Sequence, residues 1–378
     1  MKILFVQKMA AISGSELYLM QLLPELKRRG YEVQVMILFP THPPTTKPFI
    51  DHFTSHGIVS HEIYGHNALS PRLFMKLRRI LKKEKFDIVQ SNLVHADFWI
   101  AVMKWLFFPT LKIVSVKHGY HGGYSARYGN DPSHLWKTMY YWLQRFSARY
   151  ANYNLTISQG VYDMYIRGKM APPDKLRNIY YGLDLEAKTK QVTEREPEEK
   201  FALLLGRLER YKGHELVMKA WKKVREKNPD WKCYFIGNGS DEARFLQVKE
   251  ELQLGEAVKF CGYQANPHQF IKDSRFMLVT SRWEGFGMII LESWAHKKAI
   301  IAVDAPAMNE VIEEGVNGLL VKQDDADGLA EKIIWMFEHP EEANQFGKAG
   351  NEKLLSYFTL ERMTNETEEV YKKVFSEG

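Results

Sequence analysis

Short apolar runs alternate with longer stretches of helical periodicity along the whole chain. The runs are Ile3–Val6, Val33–Phe39, Ile88–Val89, Ile113–Val116, Asn154–Ile157, Ala202–Leu205, Cys233–Ile236, Phe276–Val279 and Ala299–Val303. Near-continuous apolar runs, rather than strict alternation, predict strands buried on both faces, and the amphipathic stretches between them predict covering helices. Strand–helix alternation of this kind builds parallel sheets. The pattern lapses after Gly182-Leu183-Asp184, where KTKQVTEREPEEK is polar and aperiodic, and resumes with FALLLG at Phe201. That lapse predicts a linker or surface segment between two doubly wound lobes, residues 1–182 and 183–358, facing across a cleft. The stretch Phe358–Phe375 is helical with no strand after it.

Length and composition agree with this reading. A chain of 378 residues suits two domains, and 45% hydrophobic with 26% charged residues excludes disorder or a fibrous repeat as a description of the whole. Two cysteines, Cys233 and Cys261, cannot form a disulfide framework and lack zinc-site spacing, so a reducing, cytoplasmic compartment is expected. The apolar start MKILFV is too short for a signal-peptide core, and Lys104, Pro109 and Lys112 interrupt the longest apolar stretch, Phe98–Val116.

Charge changes the picture more. The net charge is +6, yet residues 1–180 carry 24 Lys and Arg against 11 Asp and Glu, a net +13, while residues 181–378 carry −7. Such asymmetry points the first lobe at something acidic, a membrane surface or a phosphorylated carrier. Lys76–Lys85 is a basic helical stretch with Leu73, Leu77, Ile80 and Leu81 on one face, which fits an anionic membrane surface as well as an ordinary solvated helix face. No nucleic-acid-binding motif is present, and nucleic acid is not an expected partner.

Five constellations could carry chemistry. Ile12-Ser13-Gly14-Ser15-Glu16 follows the first strand, where small residues and free helix N–H groups receive an anion; a plain cap by Ser13 or Ser15 would use the same residues. Gly206-Arg207-Leu208 with Tyr211-Lys212-Gly213 places a guanidinium and an ammonium across one turn at a strand's carboxyl end, where a doubly wound sheet binds ligands. In Ser281–Glu292, Glu284, Gly285, Phe286, Gly287 and Met288 lead into a helix that carries Glu292. Such a segment can offer amides to phosphate and carboxylates to sugar hydroxyls. Lys117-His118-Gly119-Tyr120 puts a histidine at another strand end, with His121 and His134 nearby but without metal-ligand spacing. The basic helical stretch is the fifth.

Read together, the second and third constellations resemble the family 4 retaining glycosyltransferases of the GT-B fold. Gly237-Asn238-Gly239, Gly262, Val303-Asp304-Ala305-Pro306 and Asn317-Gly318-Leu319-Leu320 add to the likeness across the second lobe. Gly14, Glu16, His118 and Leu155-Thr156-Ile157-Ser158 carry it more loosely in the first. The resemblance implies two Rossmann-like lobes, with the last helix, 359–378, returning to the first. It implies a nucleotide-sugar donor, linked to UDP or GDP, in the second lobe. Arg207 and Lys212 would neutralise the diphosphate. Glu292 would accept from the ribose, and Glu284 with the amides of Phe286, Gly287 and Met288 would hold sugar and phosphate. His118 would contact the donor sugar near the reacting carbon. Gly14 and Ser15 would approach the diphosphate, with Gly206 and Asn238 lining the pocket and the backbone at Tyr263 meeting the base. No cofactor or metal ion is expected, and no Asp-x-Asp pair is assigned to hold one. The acceptor would be a glycan or lipid-linked carrier in bacterial polysaccharide synthesis, met at the inner face of the membrane. The chain departs from the family in Ser-Gly-Ser-Glu, where paired glycines are usual, and in Tyr181 before Gly182, where Asn is common. A sugar-nucleotide epimerase or hydrolase, or an inactive glycan- or membrane-binding protein of the same fold, would share most of these features.

Overall fold

The computed structural model describes residues 1–9, 12–38, 43–64, 71–119, 124, 132–185, 192–194 and 199–377. Phe39, Tyr120, His121 and much of the linker (188–191 and 195–198) lie outside the described residues. The chain divides into two compact units. The first comprises the described residues within Met1–His121, Asn130–Gly182 and Leu360–Gly378, and the second is built on Leu183–Thr359.

The first unit begins β1 (Lys2–Lys8), α1 (Gly14–Arg28), β2 (Glu32–Leu38), α2 (Pro43–Ser55), β3 (Val59–Ile63) and α3 (Pro71–Glu84). It continues with β4 (Ile88–Asn92), α4 (Leu93–Leu106), β5 (Ile113–Lys117), α5 (Met139–Tyr150), β6 (Tyr153–Thr156), α6 (Gln159–Arg167) and β7 (Leu176–Asn178). Its seven strands lie in the order β3-β2-β1-β4-β5-β6-β7, all parallel. The register Val6↔Met36 and Val6↔Ser91 sets β1 between β2 and β4, the switch point of the winding. Ile3, Leu4, Phe5 and Val6 are fully buried, as a central parallel strand requires. Leu73, Leu77 and Leu81 of α3 join Trp99, Ile100 and Met103 of α4 in one core cluster with β1, β2 and β4.

The second unit repeats the plan. β8 (Phe201–Leu205), α7 (His214–Lys227), β9 (Lys232–Ile236), α8 (Glu242–Glu251), β10 (Val258–Phe260), α9 (His268–Asp273) and β11 (Phe276–Val279) come first. α10 (Met288–Ala295), β12 (Ala299–Val303), α11 (Met308–Val311), β13 (Leu319–Val321), α12 (Ala326–Glu338) and α13 (Pro340–Tyr357) complete it. Its six-stranded parallel sheet runs β10-β9-β8-β11-β12-β13. Gly350 lets α13 lie against Trp294, whose ring nitrogen would stand 2.1 Å from an added Cβ.

The last helix, α14 (Leu360–Ser376), belongs to the first unit. Met363, Val370, Tyr371 and Val374 bury its apolar face, and Arg29, which caps the end of α1, bonds Asn365 at 2.6 Å and Glu368 at 3.1 Å. The four strands outside the apolar runs read from the sequence, β3, β7, β10 and β13, are the four sheet edges, and three of them span only three residues, too short to show a run.

Candidate functional site

In the first unit, the loop after β1 realises the capping arrangement. Glu16 Oε2 accepts from the Ser13 backbone N–H at 3.0 Å and its hydroxyl at 2.6 Å. Gln7 donates to Ser15 Oγ at 3.1 Å and to Glu16 Oε1 at 2.8 Å, and Ser15 Oγ donates to Glu16 Oε2 at 3.0 Å. Ser15 and Glu16 are buried. The Ser15 hydroxyl is therefore engaged within the unit, and only the backbone at Gly14 and Ser15 is left to offer.

His118 follows β5 directly. Its Nδ1 meets the Tyr181 hydroxyl and its Nε2 lies 3.2 Å from Asn92 Oδ1. Tyr18 stacks on Tyr181 at 5.2 Å and meets His118 edge-on at 5.5 Å. Burial, with the neighbouring Lys117 charge, lowers the His118 pKa to about 3. Lys117 is fully buried and held by Asp97 Oδ2 at 2.7 Å, Ser115 Oγ at 2.6 Å and Gln144 Oε1 at 3.3 Å. Both carboxylate oxygens of Asp97 are engaged, since Oδ1 accepts from Ser91 and Ser115. Asp97 and Lys117 are therefore the centre of a fully buried hydrogen-bonded network.

In the second unit, the carboxyl ends of β8, β9, β10 and β11 bring four loops together. The Gly206 N–H donates to Ile236 O at 2.9 Å, Leu208 N–H to Asn238 O at 2.9 Å, Gly237 N–H to Gly262 O at 2.9 Å and Arg282 N–H to Tyr211 O at 2.8 Å. Gly237, at φ +140°, passes so close to Gly206 O that a Cβ would stand 2.0 Å away. Gly213, at φ +81°, would put a Cβ 2.1 Å from Thr280 O. These glycines are demanded by the close approach of neighbouring loops.

Three of the predicted residues converge on this loop cluster. Lys212 Nζ forms an ion pair with Glu284 Oε1, which also accepts from Ser281 Oγ at 2.7 Å. Tyr211 gathers the cations. Its ring centroid lies 5.8 Å from the Arg207 guanidinium and 5.3 Å from Lys212 Nζ, and its hydroxyl accepts from Arg207 at 2.6 Å. Arg207 is 60% exposed and also pairs with Glu209 at 2.6 Å, whereas the Lys212 and Glu284 side chains are 18% and 13% exposed. Burial and Arg207 oppose the Lys212 charge, but Glu284 and Tyr211 outweigh them, and the Lys212 pKa lies above its ordinary value. The ammonium is therefore charged across the physiological range. Lys212 and Glu284 were assigned in the sequence to separate parts of a ligand; here they hold each other.

The remaining assignments spread along the same edge. Gly287, at φ +83°, caps α10 and places Met288 at its first turn. Phe286 is buried, and its ring lies 5.8 Å from that of Phe358. Glu292, in the same helix, is buried at 8% exposure. Asn238 and Tyr263 are exposed, and Gly285 is half-buried. Beside the cluster, Arg210, Tyr211, Gly213, Lys219, Arg244 and Arg282 contribute to a hollow of about 420 Å³.

Tyr211 and Ser281 stood within quoted motifs without a role. Asn92 was passed over, although its strand, IVQSN, ends in three polar residues that are fully buried. A buried parallel strand that turns polar at its carboxyl end is a legible sign of a hydrogen-bonding site.

The chain does contain one Asp-x-Asp, Asp325-Ala326-Asp327, and the structure accounts for it. Asp325 Oδ1 accepts from the Gly328 N–H at 2.8 Å to cap α12, and Asp327 pairs with Lys223 at 2.7 Å. Among the described residues, no cluster of three His, Cys, Asp or Glu side chains is arranged to hold a metal, and no helix is long and apolar enough to cross a membrane.

The basic stretch is α3, with Lys76, Arg78, Arg79, Lys82 and Lys83 exposed and Leu73 and Leu77 buried. Of the nearby aromatics, Trp99 is core. Trp105 is 59% and Phe107 38% exposed, with the Arg78 guanidinium 4.7 Å from the Phe107 ring. A hollow of about 320 Å³ among Leu81, Lys82, Phe86, Phe108, Lys112 and Phe375 adjoins them.

Residues 186–353 match the family described as glycosyl transferases group 1, and residues 12–187 match glycosyltransferase family 4. EpsD of Bacillus subtilis (strain 168) is 25% identical over 359 residues, 91% of this chain and 90% of that protein. N-acetyl-alpha-D-glucosaminyl L-malate synthase of Bacillus anthracis is 23% identical over 374 residues, 96% of this chain and 95% of that protein. Among solved structures, Anabaena Alr3699/HepE in complex with UDP and glucose superposes with a TM-score of 0.83 at 19% identity, covering 99% of this chain and 100% of that one. That superposition carries the GT-B fold.

Proposed function

The chain belongs to the group 1 glycosyl transferases, and on that premise we propose that it moves a sugar, with retention, from a UDP-sugar to a glycan or lipid-linked acceptor in bacterial surface-polysaccharide assembly. The observation that carries this reading is the Arg207–Tyr211–Lys212–Glu284 cluster at the carboxyl ends of β8 and β11. UDP is favoured over GDP because the superposing HepE structure contains UDP.

The chemistry follows from where charge develops. Breaking the anomeric C–O bond puts positive charge on the sugar ring and negative charge on the departing diphosphate. Lys212, kept charged by Glu284, and Arg207, with its planar fork of donors, stabilise that diphosphate. A phosphate oxygen arriving at Lys212 shares the ammonium with Glu284, whose carboxylate then accepts from sugar hydroxyls. The N-terminal amides of α10 offer further donors, and Glu292 serves the ribose. The acceptor hydroxyl attacks from the face the diphosphate leaves, and a leaving phosphate oxygen takes its proton. Two cations and a helix N-terminus supply the charge stabilisation, and turnover requires no divalent metal.

Incubation with UDP- and GDP-sugars, with and without a glycan or lipid-linked acceptor, tests this reading. Acceptor-dependent release of UDP with the sugar transferred supports it. Acceptor-independent conversion to an epimer or to free sugar overturns it in favour of an epimerase or hydrolase, and failure to bind any nucleoside diphosphate leaves an inactive binding protein.

The membrane enters through the first unit. The exposed cations of α3, with Arg78 against the ring of Phe107, suit an anionic bilayer at the inner membrane face. Flotation with anionic liposomes, lost at high salt and absent with neutral lipid, is the expected result; no salt-sensitive binding removes the idea.

A further inference from the structure

His118 ends a hydrogen-bond chain whose direction is set by one backbone carbonyl. Asn92 Nδ2 points at Val6 O, 3.5 Å away, and a carbonyl only accepts. The Asn92 amide is thus oriented with Oδ1 toward Gln90 Nε2 at 3.3 Å and His118 Nε2 at 3.2 Å. Oδ1 also only accepts, so the proton sits on His118 Nε2. The lone pair is then on Nδ1, where the Tyr181 hydroxyl donates. Gln90 is held in turn by the Tyr371 hydroxyl of α14, which donates to Oε1. Gln90, Asn92 and Tyr371 are fully buried and Tyr181 nearly so.

From this geometry we infer that Tyr181 and Asn92 are positioning residues that lock His118 as a neutral, Nε2-protonated hydrogen-bond donor, and that His118 does not act as a general base. The inference deepens the transferase reading and rests on it, since His118 is there the residue that meets the donor sugar. The Nε2–H bond to Asn92 is the yielding one, because Oδ1 is shared with Gln90. A sugar oxygen can take over the donated hydrogen while Tyr181 keeps the tautomer in place.

The surroundings leave little to charge the ring. Lys117 is sealed against Asp97, the phenols of Tyr18 and Tyr181 have raised pKa values through burial, and Glu16 is engaged by Ser13, Ser15 and Gln7. The low pKa of His118 fits the same picture.

Nitrogen-15 NMR of the full-length, histidine-labelled protein tests the lock without reference to turnover. The expected His118 signal is a neutral Nε2–H tautomer that does not titrate between pH 5.5 and 8.5. In Tyr181→Phe the tautomers mix, and kcat falls about 5- to 10-fold with KM nearly unchanged, the scale of one hydrogen bond. Asn92→Leu, which removes the acceptor facing Nε2, loses the tautomer, whereas Asn92→Asp places a carboxylate there and turns the ring into one that charges as pH falls. A His118 that titrates near 6.5 or carries its proton on Nδ1 in the wild type overturns the inference. So does a Tyr181→Phe enzyme with wild-type kcat, while sugar transfer by that same enzyme would leave the transferase reading standing.

Discussion

The two units share one winding order, yet their strand ends carry opposite kinds of chemistry. The first unit accounts for most of the positive half of the chain, but at the end of β5 it presents a histidine bonded to one amide and one phenol, with the ring of Tyr18 edge-on to it. Its Asp97–Lys117 ion pair is fully buried. The second unit comes from the acidic half, but at the ends of β8 and β11 it gathers Arg207 and Lys212 around Tyr211. The charge of a surface and the charge of a site are thus set independently. Surface charge is carried by long solvated side chains that work at a distance, whereas site charge needs a partner at contact range, as Glu284 is for Lys212.

The sharpest way to break the contrast is to open the sealed pair. Asp97→Ala leaves Lys117 buried without its carboxylate, and a cost of about 3–5 kcal/mol is expected, seen as a fall of about 10 °C in Tm. A Tm within 2–3 °C of wild type would mean the pair is not sealed at all.

Next in size is Lys212→Ala. Losing one charge-stabilising contact in the transition state lowers kcat/KM about 100- to 1,000-fold. Turnover near the wild-type level would refute the role of the cluster.

Acid acts more gently, through buried histidines. The His214 pKa is lowered to about 3 by burial, helped by Lys212, and that of His296 to about 4 by burial with Lys272 and Lys298. A buried neutral histidine binds fewer protons than its unfolded counterpart below pH 6.5, so its stabilisation is full above 6.5 and drains away as pH falls toward the folded value. By pH 5 this amounts to about 2 kcal/mol for His214. His214 lies between the rings of Phe235 and Phe245, each 5.0 Å away. His214→Phe should therefore lose less Tm between pH 7.5 and 5 than the wild type does; parallel curves would contradict the assignment.

The smallest effect is expected at Arg207, which is exposed. Arg207→Ala should weaken binding of a nucleoside diphosphate about 10-fold, the scale of one charge-assisted hydrogen bond. Calorimetric titration reads this directly, and an unchanged Kd would place the diphosphate elsewhere.

Much of the fold was legible because a parallel strand buried on both faces carries a run of apolar residues. Ile3–Val6, Ala202–Leu205, Phe276–Val279 and Ala299–Val303 all announced themselves as strands. Edges did not, because Val59–Ile63 and Leu176–Asn178 have a partner on one side only. The candidate residues were legible as types, since Arg207, Lys212 and Glu284 sit at strand ends in glycine-rich loops. Their pairing was not, because Lys212 and Glu284 are 72 positions apart and meet only through the crossover from β8 to β11. Nor was the environment of His118. Asn92 and Tyr181 lie 26 and 63 positions away, and no local spacing ties them to it.

The central claim is that the ammonium of Lys212 receives the diphosphate of the donor. Titrating UDP into wild-type protein and into Lys212→Ala at matched pH and salt, with Tm confirming that both are folded, tests it most directly. The account predicts saturable binding to the wild type and at least a 10-fold weaker Kd in the variant. Equal affinity in the two proteins would contradict it.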